Sequence, residues 1–149
     1  MDICPVIKNK TMQTALLYLT LFFSSLFLQA QNTIEVNMFG FTSNKGKAII
    51  GLFVEEETFL RKPLQSLSSL IIDQKSDITF KDIPDGVYAI SVYHDENDNG
   101  EIDLLMGILP KEDTGTSNNP NTKMGPPKWK DAKFEVKNGE VLSFDIKIK

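Results

Sequence analysis

From Asn32 to the last residue, apolar side chains recur at every second position in short runs separated by turn residues, and no segment sustains a helical period. A chain built this way folds into sheets, because a two-residue repeat gives each run one face for a core and one for solvent. Residues 33–38 alternate Ile34, Val36 and Met38 with Thr33, Glu35 and Asn37. Residues 47–54 are apolar almost throughout, as in a strand covered on both faces, and Gly51 among them marks a bulge or a close backbone approach. Residues 67–72 and 77–83 read as further strands, and 87–94, rich in β-branched and aromatic side chains, as the strongest. Residues 132–136 and 141–148 read as a last hairpin turned at Asn138-Gly139, the pair that best suits a type I′ turn. Residues 55–60 permit one helical turn, which Pro63 stops. Residues 104–109 form a short apolar segment, and 111–130 a long irregular loop.

These elements predict an all-β fold: a single antiparallel β-sandwich of about seven strands, immunoglobulin-like, over residues 31–149. Tyr88, Ile90, Val92 and His94 are expected on one face of a central strand, in one core with Ile50, Leu52 and Val54.

Residues 1–30 have a different character. Lys8 and Lys10 precede an uncharged run at 15–28, shorter than the roughly 20 residues of a bilayer-spanning helix. Ala30 follows, and polar sequence begins at Gln31. This is the pattern of a secretory signal peptide cleaved after Ala30, with an uncleaved membrane anchor as the alternative. Cleavage removes Cys4, the chain's single Cys, and takes the net charge from −4 to −5 by loss of Asp2, Lys8 and Lys10. The expected product is secreted or periplasmic, with no stable membrane span.

Net negative charge argues against nucleic acid as a partner. One Cys and one His exclude disulfide scaffolds, Cys-rich zinc sites and most His-based metal centres. The remaining metal chemistry is that of oxygen ligands. Residues 95–103 carry Asp95, Asn97, Asn99, Gly100, Glu101, Ile102 and Asp103, which fit the first nine positions of an EF-hand-type calcium loop. In such a loop alternate side-chain oxygens turn inward, Gly at the sixth position allows the bend, and the seventh residue, Glu101, offers its backbone carbonyl. Ile102 is expected to anchor the loop to the core. The twelfth position is Met106, which supplies no carboxylate, so further oxygens are expected from Glu112, Asp113 or water. The candidate ligands are therefore Asp95, Asn97, Asn99, Glu101 and Asp103, and the candidate cofactor is calcium, held weakly. The alternative is a solvated Asx-rich turn that binds nothing.

Residues 83–103 (IPDGVYAISVYHDENDNGEID), with Gly107-Ile108-Leu109-Pro110, Ser117-Asn118-Asn119, Gly125-Pro126-Pro127, Asp131-Ala132 and Phe134, resemble the secreted bacterial domain-of-unknown-function family 2141. The resemblance implies a secreted β-sandwich with no established activity, similar to transthyretin-like and carboxypeptidase-regulatory-like sandwiches. Those share the Pro84, Gly86, Tyr88 step, which implies a buried Tyr ring whose hydroxyl returns to the backbone near the turn.

His94 is a candidate general base beside Asp95 or Asp103; the plainer reading is a strand-end His bonded to a loop carbonyl. Glu55-Glu56-Glu57 read as a solvated acidic tip. Trp129 reads as a cover over one open end of the sandwich, or with Tyr93 as an aromatic platform for a ligand. The expected function is a non-catalytic module that binds an unidentified protein or carbohydrate. The alternatives are a small secreted hydrolase using His94 and neighbouring carboxylates, and a purely structural envelope component.

Overall fold

Two sheets face each other across the core. A computed structural model describes Gln13, Thr14, residues 16–18 and residues 31–149 other than Ile108, Lys123 and Met124. Met1–Ala30 and Gln31–Lys149 are separate units. The expected signal peptide, apart from those few residues, lies outside the described residues, as do its cleavage point and Cys4. No helix among the described residues is long and apolar enough to cross a membrane.

The strands are β1 (Asn32–Phe39), β2 (Lys47–Phe53), β3 (Gln65–Leu70), β4 (Lys75–Ile83), β5 (Gly86–Asp95), β6 (Leu104–Leu105), β7 (Leu109–Pro110), β8 (Thr114–Thr116), β9 (Phe134–Val136) and β10 (Val141–Lys147), with one short helix, α1 (Trp129–Ala132). One sheet has the order β10-β1-β4 and the other β3-β2-β5-β8, with β9 paired to the start of β5. The fold is the all-β sandwich expected from the two-residue period.

The faces fall as the alternation requires. Tyr88, Ile90, Val92 and His94 of β5 are all buried, and the first three share one core with Ile50 and Leu52 of β2, against which Val54 packs. Ile34, Val36, Met38, Phe80 and Ile146 meet them from the other sheet. Ala89 points the opposite way, into a second cluster with Phe53, Phe59 and Ala132. Gly51 is the close approach anticipated: a Cβ there would lie 2.9 Å from the Phe53 ring and 3.2 Å from Pro63. Residues 55–60 form hydrogen-bonded turns, with Arg61 N and Lys62 N donating to the Thr58 carbonyl, rather than a helix.

Two expectations are corrected. β9 and β10 are not a hairpin: β9 pairs antiparallel with β5, and β10 runs parallel to β1, which also makes the sandwich not wholly antiparallel. The Asn138-Gly139 turn exists, both residues having positive φ. Glu140 N keeps the turn's own bond to the Lys137 carbonyl (3.3 Å) and also donates to Asn32 Oδ1 (2.9 Å), while Asn138 N donates to Asp85 Oδ1 (3.1 Å). Asn32 is fully buried and also donates to the Ile83 carbonyl and to Asp85, so one amide side chain joins β1, the end of β4 and this turn. Trp129 packs on the Phe53–Phe59 cluster, its ring 5.7 Å from Phe59 in a T-shaped contact.

The loop at 111–130 is tied down by Ser117, Asn118 and Asn119. Ser117 is buried; its hydroxyl donates to the Ala132 carbonyl (2.7 Å) and accepts from Ile90 N (3.0 Å). Asn118 Nδ2 donates to carbonyls at the end of α1. Asn119 acts as a substitute strand for the outer edge of β10, donating to the Asp145 carbonyl (2.7 Å) and accepting from Lys147 N (2.8 Å). Thr114 and Lys149 exchange backbone hydrogen bonds, closing this side of the sandwich.

Candidate functional site

β5 ends in two buried polar residues, His94 and Asp95, and the candidate loop springs from them. Asp95 shapes the loop: Oδ1 accepts from Asn99 N (3.0 Å) and Oδ2 from Gly100 N (2.8 Å). Asp98 and Gly100 supply the positive φ values of the bend. Asn97 Oδ1 accepts from Asn99 N (3.1 Å) and Asn99 Oδ1 from Glu101 N (2.8 Å), a succession of Asx turns. Both Asn side chains reach Asp103: Asn97 Nδ2 donates to Oδ2 (2.8 Å) and Asn99 Nδ2 to Oδ1 (3.4 Å). The structure thus brings Asp95, Asn97, Asn99 and Asp103 into one hydrogen-bonded group, with Glu101 joined through its amide.

Ile102 is not the anchor. It is 39 % exposed. The loop is held instead by Tyr93, whose hydroxyl donates to the Gly100 carbonyl (3.1 Å), and by Lys47, whose ammonium lies 2.7 Å from Asp98. Partial burial raises the Tyr93 pKa, with Asp95, Glu112 and Glu101 adding to the effect, so the hydroxyl stays protonated as a donor. The hydrogen bond and charge of Asp98 raise the Lys47 pKa.

Glu112 stands beside this group. Its Oε2 accepts from Asp103 N (3.2 Å), while Oε1 is buried and accepts no hydrogen bond. The Glu96 amide, which favours the charged form of Glu112, is committed to the His94 carbonyl (2.9 Å). Burial foremost, then the charges of Asp103 and Asp95, hold the Glu112 carboxyl above the ordinary carboxylate range. This carboxylate is short of positive charge and of donors. Among the described residues no three or more His, Cys, Asp or Glu side chains are gathered so as to hold a metal unaided. A cation here would need the Asn97 and Asn99 oxygens and the Glu101 carbonyl as well, the all-oxygen set that suits a hard ion.

His94 is committed elsewhere. Its Nε2 lies 2.8 Å from the Lys45 carbonyl, which can only accept, so Nε2 carries the proton. Its ring meets Phe41 edge-on at 5.3 Å, and its own amide donates to the Asp113 carbonyl (2.9 Å). Both Asp95 oxygens serve loop amides. The plainer reading of His94, a strand-end His bonded to a loop carbonyl, is the one found. Thr42, His94, Glu96, Lys111, Glu112 and Asp113 line a shallow cleft at this end of the molecule. The Tyr88 hydroxyl donates to the Pro84 carbonyl (2.9 Å), so the Pro84, Gly86, Tyr88 step is a turn tied to a core strand.

The segments that build this architecture, from the second half of β1 through the 95–103 loop, Ser117–Asn119 and into the start of β10, fall within a match over residues 36–143 to the family described as an uncharacterized protein conserved in bacteria (DUF2141). The chain belongs to the DUF2141 family. No curated protein and no solved structure matches it. In this DUF2141 protein the two segments that sequence reading undervalued are Asn32 and Ser117-Asn118-Asn119. Each acts through side-chain bonds to backbone far away in sequence, and the visible signal was only that Asn and Ser stood where a strand start or a loop needed no particular residue.

Proposed function

We propose that this DUF2141 protein is a secreted or periplasmic, non-catalytic β-sandwich module whose 95–103 loop takes calcium, and that it presents the sandwich to a protein or carbohydrate ligand. The observation that carries the calcium reading is the buried, unpaired Glu112 Oε1 beside Asp103 and the oxygen-rich loop. A divalent cation there supplies the positive charge that Asp95, Asp103 and Glu112 lack. Asp95 already curls the loop through two amides, so little ordering is left for binding to require. The non-catalytic reading is supported by the commitment of the single His to Lys45. Export is supported by the weakly basic start and short uncharged run at 15–28.

A second reading has its own support. Asn97 Oδ1 and Asn99 Oδ1 already accept loop amides, so the loop is also competent as a self-contained Asx turn without an ion. Titration calorimetry of the purified protein with calcium chloride separates the two. Saturable binding with Kd of about 10⁻⁴ to 10⁻³ M, weakened in Asp95→Ala, supports the calcium reading. No heat beyond dilution at millimolar calcium leaves the turn.

A further inference from the structure

Residues 104–110 carry no charge and stand between Asp103 and Lys111. They leave the candidate loop as a two-stranded ribbon, β6 against β7, with Leu104 opposite Pro110 and Leu105 opposite Leu109. Lys111 N closes its base by donating to the Asp103 carbonyl (2.8 Å). Successive residues of a strand point to opposite faces, so Leu104 and Leu105 lie on different faces of the ribbon. Both are exposed, at 42 % and 51 %, and Met106 at the turn is 92 % exposed. The ribbon is apolar on both faces and at its tip. A groove in a protein partner covers one face of such an element, whereas an apolar medium reaches all of it.

Met106 sits at φ +54, a left-handed conformation that suits Asn, Asp or Gly better than a long side chain. In water it is unfavourable there on backbone and on exposure alike. The second loss disappears if the tip leaves water. The base of the ribbon is polar and of both signs. Lys111 and Glu112, which follow β7 directly, line the cleft of about 120 Å³ shared with Thr42, His94, Glu96 and Asp113. The lining holds one ammonium and three carboxylates, and Glu112 Oε1 is buried without a donor. His94 adds no charge of opposite sign to Lys111, and its Nε2 is taken by the Lys45 carbonyl. An apolar ribbon standing on a cleft of mixed charge matches an amphiphile whose headgroup has both a phosphate and an ammonium. The excess of carboxylates disfavours a headgroup that is anionic only.

We propose that the β6–β7 ribbon docks on a bilayer of zwitterionic phospholipid. Leu104, Leu105 and Met106 enter the boundary of the acyl chains, the lipid phosphate meets Lys111, and its ammonium meets the carboxylates of Glu96, Glu112 and Asp113. Insertion is shallow. β6 and β7 are the whole of their sheet, so the outer backbone groups of both strands have no strand partner and must stay within reach of headgroup water. The charged base sets the same limit, since Asp103 and Lys111 remain at the headgroup level while the tip goes deeper. Docking of this kind needs neither calcium nor a protein or carbohydrate ligand.

Co-sedimentation of the full chain with vesicles of equal parts phosphatidylcholine and phosphatidylethanolamine, in chelator, tests this. Met106→Asp is the decisive variant, because Asp suits the positive φ while its charge opposes insertion. Wild type is expected to pellet with the vesicles. Met106→Asp is expected to bind about tenfold more weakly or less, with a melting temperature equal to wild type or higher. Lys111→Glu, at an exposed position, is expected to bind more weakly as well. Wild type that stays in the supernatant overturns the proposal, including the case in which the ribbon seats in a protein groove instead. Met106→Asp that pellets as wild type does overturns it too, by assigning the binding to residues 15–28 or to another face. Tighter binding when phosphatidylglycerol replaces phosphatidylethanolamine also overturns it, because the cleft then selects an anion.

Discussion

Gly46 and Asp95 meet backbone to backbone: a Cβ on Gly46 would overlap the Asp95 carbonyl oxygen, and Gly46 sits at φ +66. The contact presses the 41–46 turn onto the point where β5 becomes the candidate loop. Lys45 bonds His94 there, and Ser43 Oγ donates to Glu96 (2.8 Å). Gly46→Ala combines a left-handed φ with a clash against backbone that has no rotamer to yield. It should cost more than about 2 kcal/mol in urea unfolding. A midpoint equal to wild type would show that the two loops are not in contact.

Ser117→Ala should be more damaging than a loop substitution ordinarily is. It leaves the Ile90 amide and the Ala132 carbonyl without their shared hydroxyl in a fully buried place. A loss of about 1–3 kcal/mol is expected in urea denaturation, with the slope unchanged. Ser117→Thr, which keeps the hydroxyl, should lose less wherever its extra methyl is accommodated.

Glu112 gives a pH dependence with a definite sign. Its pKa in the folded protein is raised above the ordinary value for a glutamate by burial, then by Asp103 and Asp95. The folded state therefore holds this proton more tightly than the unfolded chain. The group's stabilising contribution is fully present below the unfolded value and is lost as pH rises through the raised folded value. In chelator, Glu112→Gln should unfold at higher urea than wild type at neutral pH, and the gap should close on acidification toward about pH 4. Wild type more stable than the variant at neutral pH without calcium would contradict this.

Much of the fold was readable because a sheet's faces follow a two-residue period that needs no partner to be seen. Tyr88, Ile90, Val92 and His94 fell on the buried face for that reason alone. The partner of each strand was less readable. Asn138-Gly139 predicts its turn correctly, with Glu140 N bonded to the Lys137 carbonyl, yet the strands on either side part, β9 to β5 and β10 to β1, and Asn32 and Asp85, far away in sequence, hold the turn between them. The Asx-rich loop was legible as a turn, since Asp95, Asn97, Asn99 and Gly100 act locally. Its anchor was not, because whether Ile102 or Tyr93 holds the loop depends on which way the chain leaves the bend. The packing of Trp129 on Phe59 was not legible either, because it follows from Ser117 and Asn118 holding α1.

Export makes its own prediction. Protein recovered from outside the cytoplasm should begin at Gln31, within a residue or two, when its intact mass is measured. Product retaining Met1 in the membrane fraction would assign 15–28 as an anchor instead.

The most direct test of the central claim is the melting temperature of the wild-type protein in millimolar calcium and then in excess chelator, beside Asp95→Ala and the remote control Asn37→Ala. Ligand that binds only the folded state at ten times Kd adds about 1.4 kcal/mol, a rise on the order of 5 °C for a domain of this size. The calcium reading predicts that rise in wild type and Asn37→Ala, and its loss in Asp95→Ala, each protein being compared with itself. Identical wild-type melting in calcium and chelator would contradict it and leave residues 95–103 as a turn.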